Sequence, residues 1–126
     1  MNISNVANQR RQIAEAFAGG IFEVVFPYLC SEAEWNVIGE FNLKGKHAIV
    51  QKCREVSSYF TSIQTDFQTL NIIEGEMHVV INGTAAFFRD GKQVAYVSSC
   101  DIYEFDANAN LKAVTSYCIK DAGKGS

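Results

Sequence analysis

The sequence predicts an α+β domain in which N-terminal helices pack against one face of a curved antiparallel sheet. Two observations carry this. Apolar residues recur at helical spacing as far as Ile63, and beyond it at a spacing of two. The connections in the second half are also short and rich in residues suited to hairpins, such as Glu74-Gly75 and Arg89-Asp90-Gly91-Lys92. Helices first and consecutive strands afterwards is the order of an α+β domain. A sheet curved over helices encloses a cone, which either fills with side chains or holds a small ligand.

Each element follows from its local pattern. From Asn5 to Ala18, Val6, Ile13, Ala14 and Phe17 mark one helical face, and Gly19-Gly20 stops it. A shorter helical piece is expected next, with Ile21, Val24, Val25 and Tyr28 at i, i+3, i+4 and i+7. "IFEVVF" alone fits a strand equally well, and Pro27 limits either. "EAEWNVIG", Glu32 to Gly39, reads as a strand and "FNLKGK" as an irregular turn. The clearest helix begins near Gly45, where Ile49, Cys53, Val56, Phe60 and Ile63 recur at steps of four, three, four and three. Then come four strand-like runs: "TDFQTLNII", "MHVVINGTAAFF", "QVAYVSSCDIYEF" and "LKAVTSYCI". Asn82-Gly83 is expected to bend or bulge one long strand rather than divide it.

With 126 residues, 48% of them apolar, the chain can bury one sizeable core, so a single domain over residues 1–120 is expected, with a frayed tail at 121–126. A net charge of −3 leaves no electrostatic footprint for nucleic acid and no polybasic patch for a membrane surface. Arg10-Arg11 reads as a solvated helix face. No signal-peptide pattern and no run of eighteen apolar residues occurs, which points to a soluble cytoplasmic protein. Cys30, Cys53, Cys100 and Cys118 form no CxxC and have no histidine at ligand spacing. They read as four buried thiols, and no metal site is expected. Without a phosphate loop or dinucleotide fingerprint, no cofactor is expected either.

The stretch "SSCDIYEFD" carries the candidate chemistry. By alternation Ser99, Asp101 and Tyr103 share one strand face, while Ser98, Cys100 and Ile102 share the other. Asp101 either points into a cavity or satisfies a polar spot in the sheet. Inside a cavity, desolvation would raise its pKa and make it a neutral donor or a base poised nearer neutrality. Asn36 is a candidate amide partner, Trp35 a candidate pocket wall, Tyr103 a second hydroxyl, Ser99 a polar neighbour and His78 a strand histidine alternating with Val80.

The order "AEAFAGG", "EAEWNVIGEFNLKGKHAI", a long helix, and "RDGKQVAYVSSCDIYEFDANANLKAVTSY" resembles the SnoaL-like and ketosteroid-isomerase-like branch of the nuclear transport factor two-like superfamily, over roughly Ile13 to Ile119. The resemblance implies a cone-shaped, cystatin-like α+β barrel with a hydrophobic pocket, frequently a homodimer formed through the sheet. Its members include isomerases, polyketide cyclases, epoxide hydrolases, dehydratases and proteins of no known activity. In ketosteroid isomerases an aspartate base lies on the first strand, while a tyrosine on the first helix and a protonated aspartic acid on a later strand form an oxyanion hole. The resemblance places Asn36 at the base, Gln12 near the tyrosine and Asp101 at the acid, so only Asp101 keeps the pattern. The expectation is a pocket for a small apolar, carbonyl-bearing molecule, with Asp101 as acid or base in an isomerase, cyclase or hydrolase. The other reading is a non-catalytic dimeric module that binds a ligand or protein.

Overall fold

The computed structural model describes residues 3–121, with side chains from residue 6 onward; the expected tail lies almost wholly outside the described residues. Helix α1 spans Ile3–Ala18 and α2 spans Lys46–Thr61. The strands are β1 (Leu29–Val37), β2 (Phe41–Lys44), β3 (Gln64–Glu74), β4 (His78–Arg89), β5 (Lys92–Phe105) and β6 (Leu111–Lys120). They form one sheet in the order β2-β1-β6-β5-β4-β3. Among the described residues no helix is long and apolar enough to cross a membrane.

Three expectations about the elements and the sheet need correction. "FNLKGK" is not an irregular turn: Phe41–Lys44 pairs antiparallel with β1, Trp35 opposite Leu43 and Val37 opposite Phe41. Four residues are too few for period two to show. The sheet is mixed, because β6 runs parallel to β1, Val37 opposite Ser116. Everything from β2 to β5 intervenes, which supplies the long crossover that a parallel pair needs. The short helical piece shrinks to a 3-10 turn at Phe26–Tyr28. Phe22 and Val25 are buried there while Ile21 and Val24 face solvent, so the i, i+3, i+4, i+7 stripe is not one buried face.

β4 stays continuous through Asn82-Gly83, as the sequence suggested, and the irregularity sits in its partner. Thr69 pairs with Gly83 and Asn71 with Asn82, so Leu70 is the extra residue. A Cβ on Gly83 would meet the Gln68 carbonyl oxygen at 2.6 Å, so only glycine lets β3 approach this closely.

The core lies between the helices and the concave face of the sheet. Ile13, Ala14 and Phe17 of α1 and Ile49 and Cys53 of α2 meet Trp35, Val79, Ile81, Tyr103, Phe105, Leu111 and Val114. Phe17 is its hub, touching Phe22, Trp35 and Tyr103 edge-on at centroid distances of 5.1, 5.0 and 5.8 Å. Arg10 does not belong to a solvated face. Its guanidinium donates to the carbonyls of Glu76 (3.0 Å), Asp106 (3.1 Å) and Ala107 (3.4 Å), tying α1 to two hairpin turns at the closed end of the cone. Nor are the four thiols uniformly buried: Cys53 is, Cys30 and Cys100 are half-buried, and Cys118 is exposed. All four are free.

Candidate functional site

Directly paired residues in a sheet put their side chains on the same face, so the strand registers stack the concave surface into rows. The innermost row crosses Val79, Tyr103, Val114 and Trp35. The next crosses Ile81, Asp101, Ser116 and Val37. Above it lie Gly83, Ser99 and Cys118, and then Ala85, Val97 and Lys120. The helices close over these rows with Phe17, Val56 and Phe60, leaving a cavity of about 710 Å³ whose rim carries Glu40, Tyr59 and Lys120. This is the size class of small-molecule sites. Its wall is mainly apolar, and Asp101 is the one carboxyl at mid-depth.

The row holding Asp101 is built for hydrogen bonding. Ser116, directly opposite, is only 4% exposed and is the one buried polar residue among the described residues. The Trp35 indole Nε1–H donates to Ser116 Oγ at 3.4 Å. An indole can only donate, so Ser116 accepts with its oxygen, and its own hydrogen is left free on the side of Asp101, whose ionised form it favours. The Tyr103 hydroxyl, one row deeper and fully buried, stands near enough to Asp101 for the two groups to perturb each other. It does not reach hydrogen-bond geometry, and its oxygen has no partner.

Burial raises the Asp101 pKa, and the hydroxyls of Ser116 and Tyr103 pull it back only in part. Burial, with the nearby Asp101 charge, pushes the Tyr103 phenol well above its ordinary range, so it stays a neutral donor. Although Cys118 as a whole residue is exposed, its sulfur faces the cavity wall, where partial loss of hydration pushes the thiol up to about 11, with Asp101 and Glu40 adding to the effect. A thiol of that kind is protonated at neutral pH and is a poor nucleophile. The row therefore offers one carboxyl whose burial favours its neutral form, beside two hydroxyls, in an apolar enclosure.

Asp101, Tyr103, Ser99 and Trp35 all line this cavity. Asn36 does not: it lies between Trp35 and Val37, and strand alternation turns it to the convex face opposite Thr115. His78 is likewise excluded, since it is exposed beside Glu104 (Nε2 to Oε1 3.5 Å) on the convex face. Alternation with the buried Val79 carried the needed signal, because Val79, not Val80, is the core residue. Ser116 and Cys118 went unnoticed in "LKAVTSYCI", where only the pairing with Asp101 and Ser99 reveals them.

No protein-family model matches the chain. No curated protein matches it either. Solved structures do. An NTF2-like protein of unknown function from Cytophaga hutchinsonii is 34% identical, with a TM-score of 0.82 over 90% of this chain and 99% of that one. An LEH-like epoxide hydrolase from M. tuberculosis has a TM-score of 0.68 at 14% identity, over 90% of this chain and 84% of its own. A candidate isomerase of the SnoaL-like family from Agrobacterium tumefaciens str. C58 has a TM-score of 0.64 at 11% identity, covering 89% and 98%. The latter two similarities concern the fold alone.

Proposed function

Since the chain belongs to the nuclear transport factor two-like (NTF2-like) superfamily, we propose that its cone takes a nonpolar, carbonyl-bearing small molecule and that Asp101 exchanges a proton with it. The reaction type is that of an isomerase, cyclase or hydrolase. One observation carries the reading: a single desolvated carboxyl at mid-depth of an apolar cavity of about 710 Å³, with hydroxyls beside it. A carbonyl oxygen entering to this depth meets the Asp101 carboxyl and the unpaired Tyr103 hydroxyl. Fixed donors in an apolar enclosure stabilise charge developing on that oxygen more strongly than bulk water does. The protonated carboxyl serves as donor, the ionised one as base, and its raised pKa brings the two forms closer to balance near neutrality.

A second reading rests on a different observation. The convex face of β5 and β6 exposes Val94, Tyr117 and Ile119, at 46, 45 and 69%, and two such faces packed together would make a homodimer. The position of a strand base also holds Asn36, an amide that cannot take a proton and that is turned away from the cone, which favours a non-catalytic dimeric binding module on the same scaffold.

A carboxyl-carbon NMR titration of wild type and Asp101→Asn, with and without 2-nonanone as a nonpolar ketone probe, separates the readings. An Asp101 midpoint clearly above about 3.9, moved again by the ketone, is the expected result. An ordinary midpoint that ignores the ketone would sink the acid–base role and leave the binding module.

A further inference from the structure

Asp101 lines two cavities, not one. Besides the cone, a smaller cavity of about 150 Å³ opens between the C-terminal end of α1 and edge strand β3, and Asp101, Ser99, Ala18, Phe67 and Ala85 belong to both. It is far below the size of an organic ligand site but has room for about five waters at roughly 30 Å³ each. Its lining suits water. Thr69 and Ser99 bring hydroxyls on the concave face, and Gln68 turns its backbone carbonyl toward Gly83. Glu15, ion-paired with Arg11 at 2.7 Å, stands on the α1 side, while Ser99 Oγ donates to the Gly83 carbonyl at 3.5 Å. Buried water needs two to four polar partners, and these residues supply them along the way to the carboxyl.

From this juxtaposition we propose that the small cavity is a water port, which keeps solvent at Asp101 while the cone is filled by its apolar ligand, so that the reaction served is one that consumes water. The inference rests on the acid–base role proposed above and narrows it to hydration or hydrolysis. In the step concerned, the water oxygen bonds to the electrophilic carbon and the C=O π pair moves onto the carbonyl oxygen. Asp101 as carboxylate takes one water proton and returns it to that oxygen. The net change is addition of H and OH across C=O, with the carboxylate regenerated. An isomerase has no use for such a port, since it must keep water from its enolate.

The test closes each opening separately. Val97→Trp, two rows toward the rim from Asp101 in the cone, stands in for the ligand. Thr69→Leu fills the port from β3, on the same face as Gly83. Water-to-amide cross-relaxation at Gly83 and Ser99, and the Asp101 titration, are read in wild type, each single variant and the double variant. The expected result is that hydration signals at Gly83 and Ser99 survive Val97→Trp and vanish when Thr69→Leu is added. The Asp101 midpoint should then rise by at least one further pH unit, a tenfold change in ionisation. Signals lost with Val97→Trp alone, or untouched by Thr69→Leu, would overturn the port. An ordinary wild-type midpoint would instead overturn the acid–base role, so the two failures are distinct. Val97→Phe replaces the indole should Val97→Trp not fold.

Discussion

At the scale of residues, Asp101 makes the molecule's stability depend on pH in a definite direction. Its folded pKa is raised, by burial, above the unfolded value, so the stability linked to it is present below about pH 4 and lost as pH rises through the folded midpoint. Asp101→Asn removes the ionisation. The variant is therefore expected to melt above wild type at pH 7, by about 1.4 kcal/mol for each pH unit by which the midpoint is raised. The gap should close below pH 4, and a neutral-pH melting temperature below wild type would contradict this. Ser116→Ala takes away a donor and should move the Asp101 midpoint further up in an NMR titration, whereas Ser116→Thr keeps the hydroxyl and should not. Asp101 and its face were legible in the sequence because alternation along "SSCDIYEF" is local. The Ser116 partner was not, since it lies on another strand and only the register brings it opposite. Counting along the chain put Asn36 in the site, but a neighbour of inward-facing Trp35 must point outward.

At the scale of elements, the β3–β4 pair depends on a missing side chain. Gly83→Ala would drive a Cβ into the Gln68 carbonyl. It should cost about 1–3 kcal/mol in urea unfolding, the range for overpacking, with amide exchange speeding up along β3 first. The β5–β6 turn depends on Asp106, whose Oδ1 accepts from the backbone N–H of Asn108 and Asn110, both at 2.9 Å. Burial alone would raise its pKa, but these donors, with the Asn110 amide and the Cys30 thiol, bring it below the ordinary value. The stability it contributes is thus present above the unfolded pKa and lost in acid. Asp106→Ala should cost about 1 kcal/mol at pH 7 and nothing near pH 2, which parallel melts at the two pH values would show. Helix α2 was plain in the sequence because Ile49, Cys53, Val56 and Phe60 keep one face in phase, although the helix stops at Thr61, short of Ile63. β2 was hidden because four residues hold no period.

At the scale of the whole molecule, the order of helices and strands gave the α+β class and the cone without further help. The parallel closure of β1 on β6 escaped, since it joins segments far apart in sequence and leaves no local pattern. The convex sheet face carries the remaining prediction. Tyr117→Lys and Ile119→Lys together put two cations on the proposed dimer surface while leaving the concave rows untouched. The double variant should sediment as a monomer with the Asp101 titration preserved. A wild type that already sediments as a monomer would remove the dimer from consideration.

Trp35 is the only tryptophan in the chain, it forms the innermost wall of the cone, and its N–H is tied to Ser116 in the row of Asp101. The protein thus carries its own optical probe at the place of interest. Its emission colour and intensity should register both the arrival of a guest and the charge on the neighbouring carboxyl, without any label. A library of candidate compounds can accordingly be screened by intrinsic fluorescence, with Asp101→Asn separating the response to occupancy from the response to ionisation.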